Sequence, residues 1–165
     1  MLLTDASANI DRYKGYYTDL QAAYNDQFGT TKNIIEKDIR RTYAKEITKE
    51  QKEALFRILF SYAKRNGKLG YCQGMNVLAY FLLNFGFTEE QSFWILAYIV
   101  ETLIPKGYYT NMVAVISDIS LLKHLFAVLL PYLATHFQKY AIDVNHFLVP
   151  WFLMAFTNID NLEVS

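Results

Sequence analysis

Thr48-Lys-Glu-Gln51-Lys-Glu-Ala-Leu55-Phe-Arg57-Ile58-Leu59-Phe-Ser-Tyr62-Ala-Lys64-Arg-Asn66-Gly67 reads from end to end as one amphipathic helix. Leu55, Ile58, Leu59 and Tyr62 recur at the i, i+3, i+4, i+7 spacing that lines up one apolar stripe, and Lys52, Glu53, Arg57 and Lys64 fall elsewhere around the axis. Thr48 and Gln51 stand at the separation of a capping box, in which a hydroxyl and an amide satisfy two backbone N–H groups that the first turn leaves open. Asn66-Gly67 predicts the end, because both residues tolerate the left-handed conformation of a C-terminal cap.

The same period runs outward in both directions. Met75 to Phe85 and Ser92 to Leu103 are apolar almost all round, the pattern of helices in the middle of a domain. Thr88 and Gln91 make a second capping box for the latter. Leu121, Leu122, Leu125, Phe126 and Leu129 mark a further amphipathic helix, which Pro131 is expected to terminate. A last helix is predicted over Val144 to Phe156 with a kink near Pro150, and a tyrosine-rich one over Ile10 to Asp26. With 7 glycines and 3 prolines, no repeat and no linker-like tract, the expectation is an all-α fold in which residues 1–165 form one multi-helix domain.

Hydrophobic residues make up 53% and aromatics 16%, enough for a core, while only 19% are charged, which argues against disorder. Sixteen basic side chains balance sixteen acidic ones, so no net field draws the chain to nucleic acid or to an anionic membrane. Cys72 is the one cysteine, which excludes an internal disulfide and fits a reducing compartment. Met1 to Tyr13 has no signal-peptide pattern. The longest apolar run, Phe147 to Phe156, contains Pro150 and is far shorter than the roughly 20 residues that span a bilayer. The sequence thus reads as cytoplasmic, with no membrane insertion, and oligomeric state is not encoded in it.

A Gly-rich phosphate loop, an HExxH pair and a GxSxG elbow are all missing. His124, His136 and His146 stand at no metal-ligand spacing and read as packed or surface residues, so no metal is expected. Cys72 has no base near it in the sequence and reads as a buried position rather than a nucleophile. Two stretches remain: Ile35-Glu-Lys-Asp38-Ile-Arg40-Arg41-Thr42, and Gly70-Tyr71-Cys72-Gln73-Gly74-Met75-Asn76, a loop opening into the most apolar helix. On a helical turn Asp38 can hold Arg41 three residues on. A polar Tyr-x-Gln at the mouth of a core helix is costly unless its side chains find partners. Spacing alone is equally served by a surface ion pair followed by an ordinary capping loop.

Both stretches, in this order, resemble the two signature motifs of the TBC-domain family, the Rab GTPase-activating proteins. Ile35, Asp38, Arg41 and Thr42 match I-x-x-D-x-x-R-T, and Tyr71, Gln73, Gly74, Met75 and Asn76 match Y-x-Q-G-M-N. Leu55 to Asn66, Leu103-Ile-Pro-Lys-Gly-Tyr-Tyr and Trp151-Phe-Leu-x-x-Phe156 are similar to further landmarks, so the likeness runs from about Tyr16 to Asn161. The resemblance implies that Arg41 acts as an arginine finger and Gln73 as a glutamine finger on a GTP-bound Rab-family GTPase. Asp38 would hold Arg41, Ile35 and Thr42 would complete the first motif, Tyr71 and Asn76 would brace the loop, and Gly74 would allow close backbone approach. It also implies no cofactor of the chain's own, because the GTPase carries GTP and Mg²⁺.

Arg40 is the rival guanidinium, which the D-x-x-R-T spacing passes over as a surface residue or a contact to the GTPase. Two departures touch loops: Thr42-Tyr43-Ala44-Lys45 lacks the family's proline, and Asn66-Gly67 stands for its asparagine-proline. Relative to a family domain, with its tryptophan-containing helix before Tyr-Tyr and its helices after Trp-Phe-Leu, the chain is expected to be the amino-terminal part. It would then be a fragment or a short form, reduced at both ends, with apolar surface bare on Val144 to Phe156. The alternative to a catalytic activator is an interaction module that binds a GTPase, or another protein, without useful catalysis.

Overall fold

A computed structural model describes residues 8–23, 28–42 and 47–157. All regular structure among them is helical: a short helical stretch over residues 8–12, then α1 (Tyr16–Ala22), α2 (Gly29–Thr42), α3 (Lys49–Arg65), α4 (Met75–Asn84), α5 (Glu89–Tyr98) running into a π-helical turn (Ile99–Leu103), α6 (Val113–Leu129), α7 (Pro131–Lys139) and α8 (Asn145–Leu153). The contacts divide the chain into two compact units, Met1–Ile104 and Pro105–Ser165.

In the first unit α3 is the hub, packing against α1, α2, α4 and α5. Its predicted stripe is the reason: Leu55, Ile58, Leu59 and Tyr62 are all fully buried. At about 1.5 to 3 kcal/mol for each such side chain, this stripe contributes more to the unit than any surface pair in it. Both capping boxes form. Thr48 Oγ1 accepts from Gln51 N at 3.2 Å while Gln51 Oε1 accepts from Thr48 N at 2.9 Å, and Thr88 and Gln91 do the same at the start of α5.

α3 ends where expected, with Asn66 as its C-cap, but the cap geometry differs. Neither Asn66 nor Gly67 is left-handed; Gly70 is, at φ 68°. Asn66 closes the turn twice over: its backbone carbonyl accepts from Leu69 N at 3.1 Å and Gly70 N at 2.7 Å, while its side chain accepts from Leu69 N through Oδ1 and donates to the Tyr62 hydroxyl through Nδ2. The helix expected from Ile10 is split at Gly15, whose φ of 85° cannot continue it, and Asp26 lies outside the described residues. α4 is buried along Met75, Val77, Leu78, Ala79 and Leu82, but Phe81 and Phe85 are exposed, so it is not apolar-packed all round.

Three groups of polar contacts tie the first unit together. Glu89 at the start of α5 accepts from Arg57 Nη2 at 2.6 Å and Nε at 2.9 Å, and from the Tyr17 hydroxyl at 3.2 Å. Arg65 pairs with Glu101 through both nitrogens and lies over the rings of Tyr16 and Trp94. Lys64 donates to the carbonyls of Leu20 and Ala23, two of the acceptors that the end of α1 leaves open.

In the second unit the hydroxyls of Tyr108 and Tyr109 donate to the carbonyls of Phe152 and Leu153, the last turn of α8. These bonds join the Tyr-Tyr and Trp-Phe-Leu landmarks. Pro131 does not simply end α6; it opens α7 at the first helical position, where a missing N–H costs nothing. Leu122 and Phe126 line an apolar groove of about 850 Å³ with Phe137, Phe147 and Trp151, whereas Leu121, Leu125 and Leu129 are exposed. α8 is shorter than expected, running from Asn145 to Leu153 with Pro150 inside it. Among the described residues no single helix is long and apolar enough to cross a membrane; α6 and α7 reach that length only together, across a 108° bend.

Candidate functional site

Ile35 anchors α2, with no exposed surface, and Ile39 is buried one turn on. That registers the helix so that Asp38, on the same side, faces inward at 7% exposure while Arg40 and Arg41 face out. The carboxylate of Asp38 is then shared. Its Oδ1 accepts from Arg41 Nη2 at 3.0 Å, and its Oδ2 accepts from the Tyr71 hydroxyl at 3.0 Å. Each oxygen of a nearly buried anion thereby has a donor, as burial of a charge requires. Arg41 is tied to Asp38 through its terminal Nη2, and its side chain remains 59% exposed.

Tyr71 is half-buried, and its hydroxyl stays protonated. Burial first, and then the neighbouring Asp38 carboxylate, push the phenol well above its ordinary range. It therefore acts as a permanent donor to Asp38. The loop continues through Cys72, whose thiol is also pushed up by burial, a poor state for a nucleophile. Gln73 follows and is exposed.

Gly74 then turns the chain into α4 at φ 103°, a conformation that side-chain-bearing residues rarely adopt. Asn76, 2% exposed, folds back so that its Oδ1 accepts from Gly74 N at 3.2 Å. The buried amide thus braces the turn that presents Gln73. Thr42 is the last residue of α2, and its side chain lies outside the described part, as do Tyr43 to Glu46.

Arg40 is committed differently. Its Nε donates to the Glu36 carbonyl, and its Nη2 lies 3.8 Å from the Glu36 carboxylate, with 73% of the side chain exposed. It makes none of the contacts to Asp38. His124, His136 and His146 are exposed, and among the described residues no cluster of His, Cys, Asp or Glu is placed to hold a metal ion.

The site therefore unites two stretches 33 residues apart: an exposed guanidinium and an exposed carboxamide, linked through Asp38 and Tyr71. The Rab-GTPase-TBC domain family model matches residues 2–165. The chain belongs to this family. Over 92% of its length it is 33% identical to a TBC domain-containing protein of Schizosaccharomyces pombe, of which the match covers 20%. It is 35% identical over 87% of its length to TBC1 domain family member 2B of Xenopus tropicalis, covering 16% of that protein. Human growth hormone-regulated TBC protein 1 is 28% identical over 99% of this chain, with 50% of that protein covered. The TBC chain thus spans half or less of these curated relatives.

Among solved structures, the Chlamydomonas flagellar RabGAP TBC domain superposes with a TM-score of 0.75 at 27% identity. That likeness covers 94% of this chain and 53% of the other. The all-α TBC architecture is common to both.

Sequence reasoning missed the Tyr71–Asp38 bond as a link between motifs, since nothing local signals a partner 33 residues away. It also missed Glu89 as the junction of Arg57 and Tyr17. A glutamate one residue after a capping threonine reads simply as favourable helix-terminus charge.

Proposed function

We propose that this TBC chain accelerates GTP hydrolysis on a GTP-loaded Rab-family GTPase by supplying Arg41 and Gln73 in trans. The observation that carries the reading is the shared carboxylate of Asp38, bonded at once to the arginine of the first motif and the tyrosine of the second. Phosphoryl transfer needs charge neutralised on the transferring group and an oriented attacking water. A planar guanidinium on a largely exposed side chain suits the first task, and an exposed carboxamide, which accepts through oxygen and donates through nitrogen, suits the second. An arginine finger is worth roughly 10³ to 10⁵ in rate.

Asp38 and Tyr71 are positioning residues in this scheme. Holding the Arg41 guanidinium through Nη2 lowers the entropy lost when the same group engages the phosphates. The GTPase brings GTP and Mg²⁺, and the chain adds no cofactor of its own.

Single-turnover phosphate release from a panel of GTP-loaded Rab GTPases tests the reading, with folding of each variant checked by circular dichroism. Acceleration on some member, abolished by Arg41→Ala and by Gln73→Ala but retained by Arg40→Ala, is the expected result. Tight binding without acceleration by the folded wild-type chain overturns it in favour of a binding module.

A further inference from the structure

We propose that the groove between α2 and α3 receives an acidic, apolar-tipped segment of the same GTPase and helps select which GTPase is accepted. The inference rests on the reading above for the identity of the partner, and on separate residues for its chemistry. The groove has a volume of about 420 Å³ and a floor of Ile39 and Phe56. That is room for a short run of side chains rather than for a folded element.

Its rim carries Arg40, Lys49, Lys52 and Arg57 against the carboxylates of Glu36 and Glu53, so cations are in excess. Arg40 and Lys49 have their nearest carboxylates, Glu36 and Glu53, at 3.8 Å in largely exposed pairs, the kind that contributes little. The Lys52 ammonium, also on the rim, has no ion-pair partner among the described residues. Arg57 is already held by Glu89. Lys49 is the first residue of α3 and Lys52 lies one turn on, near the positive end of the helix dipole, where cations are disfavoured. Three cations, only loosely matched by Glu36 and Glu53, beside a positive helix end and above an apolar floor are complementary to carboxylates flanking an apolar side chain.

Position ties the groove to the GTPase rather than to another acidic ligand. Arg40 is next to Arg41 on α2, about 100° around a helix that is about 10 to 12 Å across with its side chains. The exposed face of α2 runs from Arg41 through Lys37 and Arg40 to the groove. A partner interface of ordinary size, about 800 Å² per side, centred on Arg41 reaches it. None of the groove side chains bonds to Asp38 or Tyr71, so their contribution falls on recognition and not on the chemical step.

The test is charge reversal in the full chain, Lys49→Glu with Lys52→Glu, against the GTPase that the wild-type chain accelerates or binds. The expected result is a rise of about tenfold in KM with kcat within about twofold, together with a weaker salt dependence of association. Arg41→Ala lowers kcat in the same assay, so a failure of the catalytic reading is seen separately. If the GTPase binds but is not accelerated, the same comparison is made by Kd with a non-hydrolysable GTP analogue. Unchanged KM and Kd in the folded double variant overturn the groove. So does loss of binding to phosphatidylserine-containing vesicles with GTPase parameters intact, since the cations then serve a lipid surface.

Discussion

The hydroxyl of Tyr71 lies 3.0 Å from Oδ2 of Asp38, and through that carboxylate the loop carrying Gln73 is tied to the helix carrying Arg41. The tie is directional. Tyr71 is held protonated by burial and by the anion it faces, so it donates and leaves Oδ1 for the guanidinium. The exposed side chains of Arg41 and Gln73 are thus related through one part-buried atom pair.

Tyr71→Phe removes that donor and little else. One oxygen of a nearly buried carboxylate is left without its bond, which costs about 1 to 3 kcal/mol. The catalytic effect is expected to exceed the thermodynamic one in consequence. With Arg41 and Gln73 no longer registered to each other, kcat for stimulated hydrolysis falls between about 10- and 100-fold, while affinity for the GTP-loaded partner changes by less than about threefold. Urea unfolding and single-turnover hydrolysis read the two separately; a stability loss with kcat intact would show that the bond serves only the fold.

Gly74→Ala and Gly86→Ala form a matched pair. Both glycines are left-handed, at φ 103° and 93°, so an added Cβ strains either by about 1 to 3 kcal/mol. Gly86 has open space around it and lies past the opposite end of α4 from the second motif, so its substitution is expected to lower stability alone. Gly74 sets the direction in which the chain passes from Gln73 into α4, and its turn is closed by Asn76. Its substitution should therefore lower kcat about as severely as Gln73→Ala. Equal activity in the two glycine variants, measured at temperatures where both are folded, would remove Gly74 from the site.

How far the sequence disclosed this arrangement depends on the range of each interaction. The hub helix α3, both capping boxes and the Asp38–Arg41 pair rest on partners within a turn of one another, and pattern alone exposes them. Pro131 stands just past the end of α6 as expected, and its second role, opening α7, is hidden in the sequence because the same ring geometry ends one helix and begins the next. Asn66-Gly67 marks the end of α3 correctly but not its geometry, because Asn66 closes the turn with its backbone carbonyl and its side-chain amide together and it is Gly70 that is left-handed. The bonds from Tyr71 to Asp38 and from Arg57 to Glu89 cross 33 and 32 residues, and only the packing of α2, α4 and α5 around α3 creates them.

The two capping boxes lead to an additivity prediction. Thr48→Ala and Thr88→Ala each remove the acceptor for one first-turn N–H and release the glutamine that answers it. Each is expected to cost about 1 kcal/mol in urea unfolding. The double variant should lose the sum to within about 0.5 kcal/mol, because the boxes open different helices and share no partner. A double variant much less stable than the sum would mean that α3 and α5 fray as a unit, transmitted through the Arg57–Glu89 pair at their contact.

Glu89 supplies the pH dependence. The hydrogen bonds from Arg57, opposed by burial and aided by the charge of the same guanidinium and the Tyr17 hydroxyl, hold its carboxyl below the ordinary value of 4.5. Between the folded and unfolded values the unfolded chain binds more protons, so stability rises with pH. The contribution is therefore complete above about pH 4.5 and is lost as pH falls through the depressed folded value. Glu89→Gln has no such proton to take up. Urea midpoints measured from pH 7 to pH 3 should show wild type more stable at neutral pH and the two proteins converging in acid. Asp143 and Glu50, whose carboxyls are also held low, titrate alike in both proteins and cancel from the difference. Curves that stay parallel to pH 3 would mean that Arg57 favours the charged and neutral forms of Glu89 equally, which its two short bonds of 2.6 and 2.9 Å argue against.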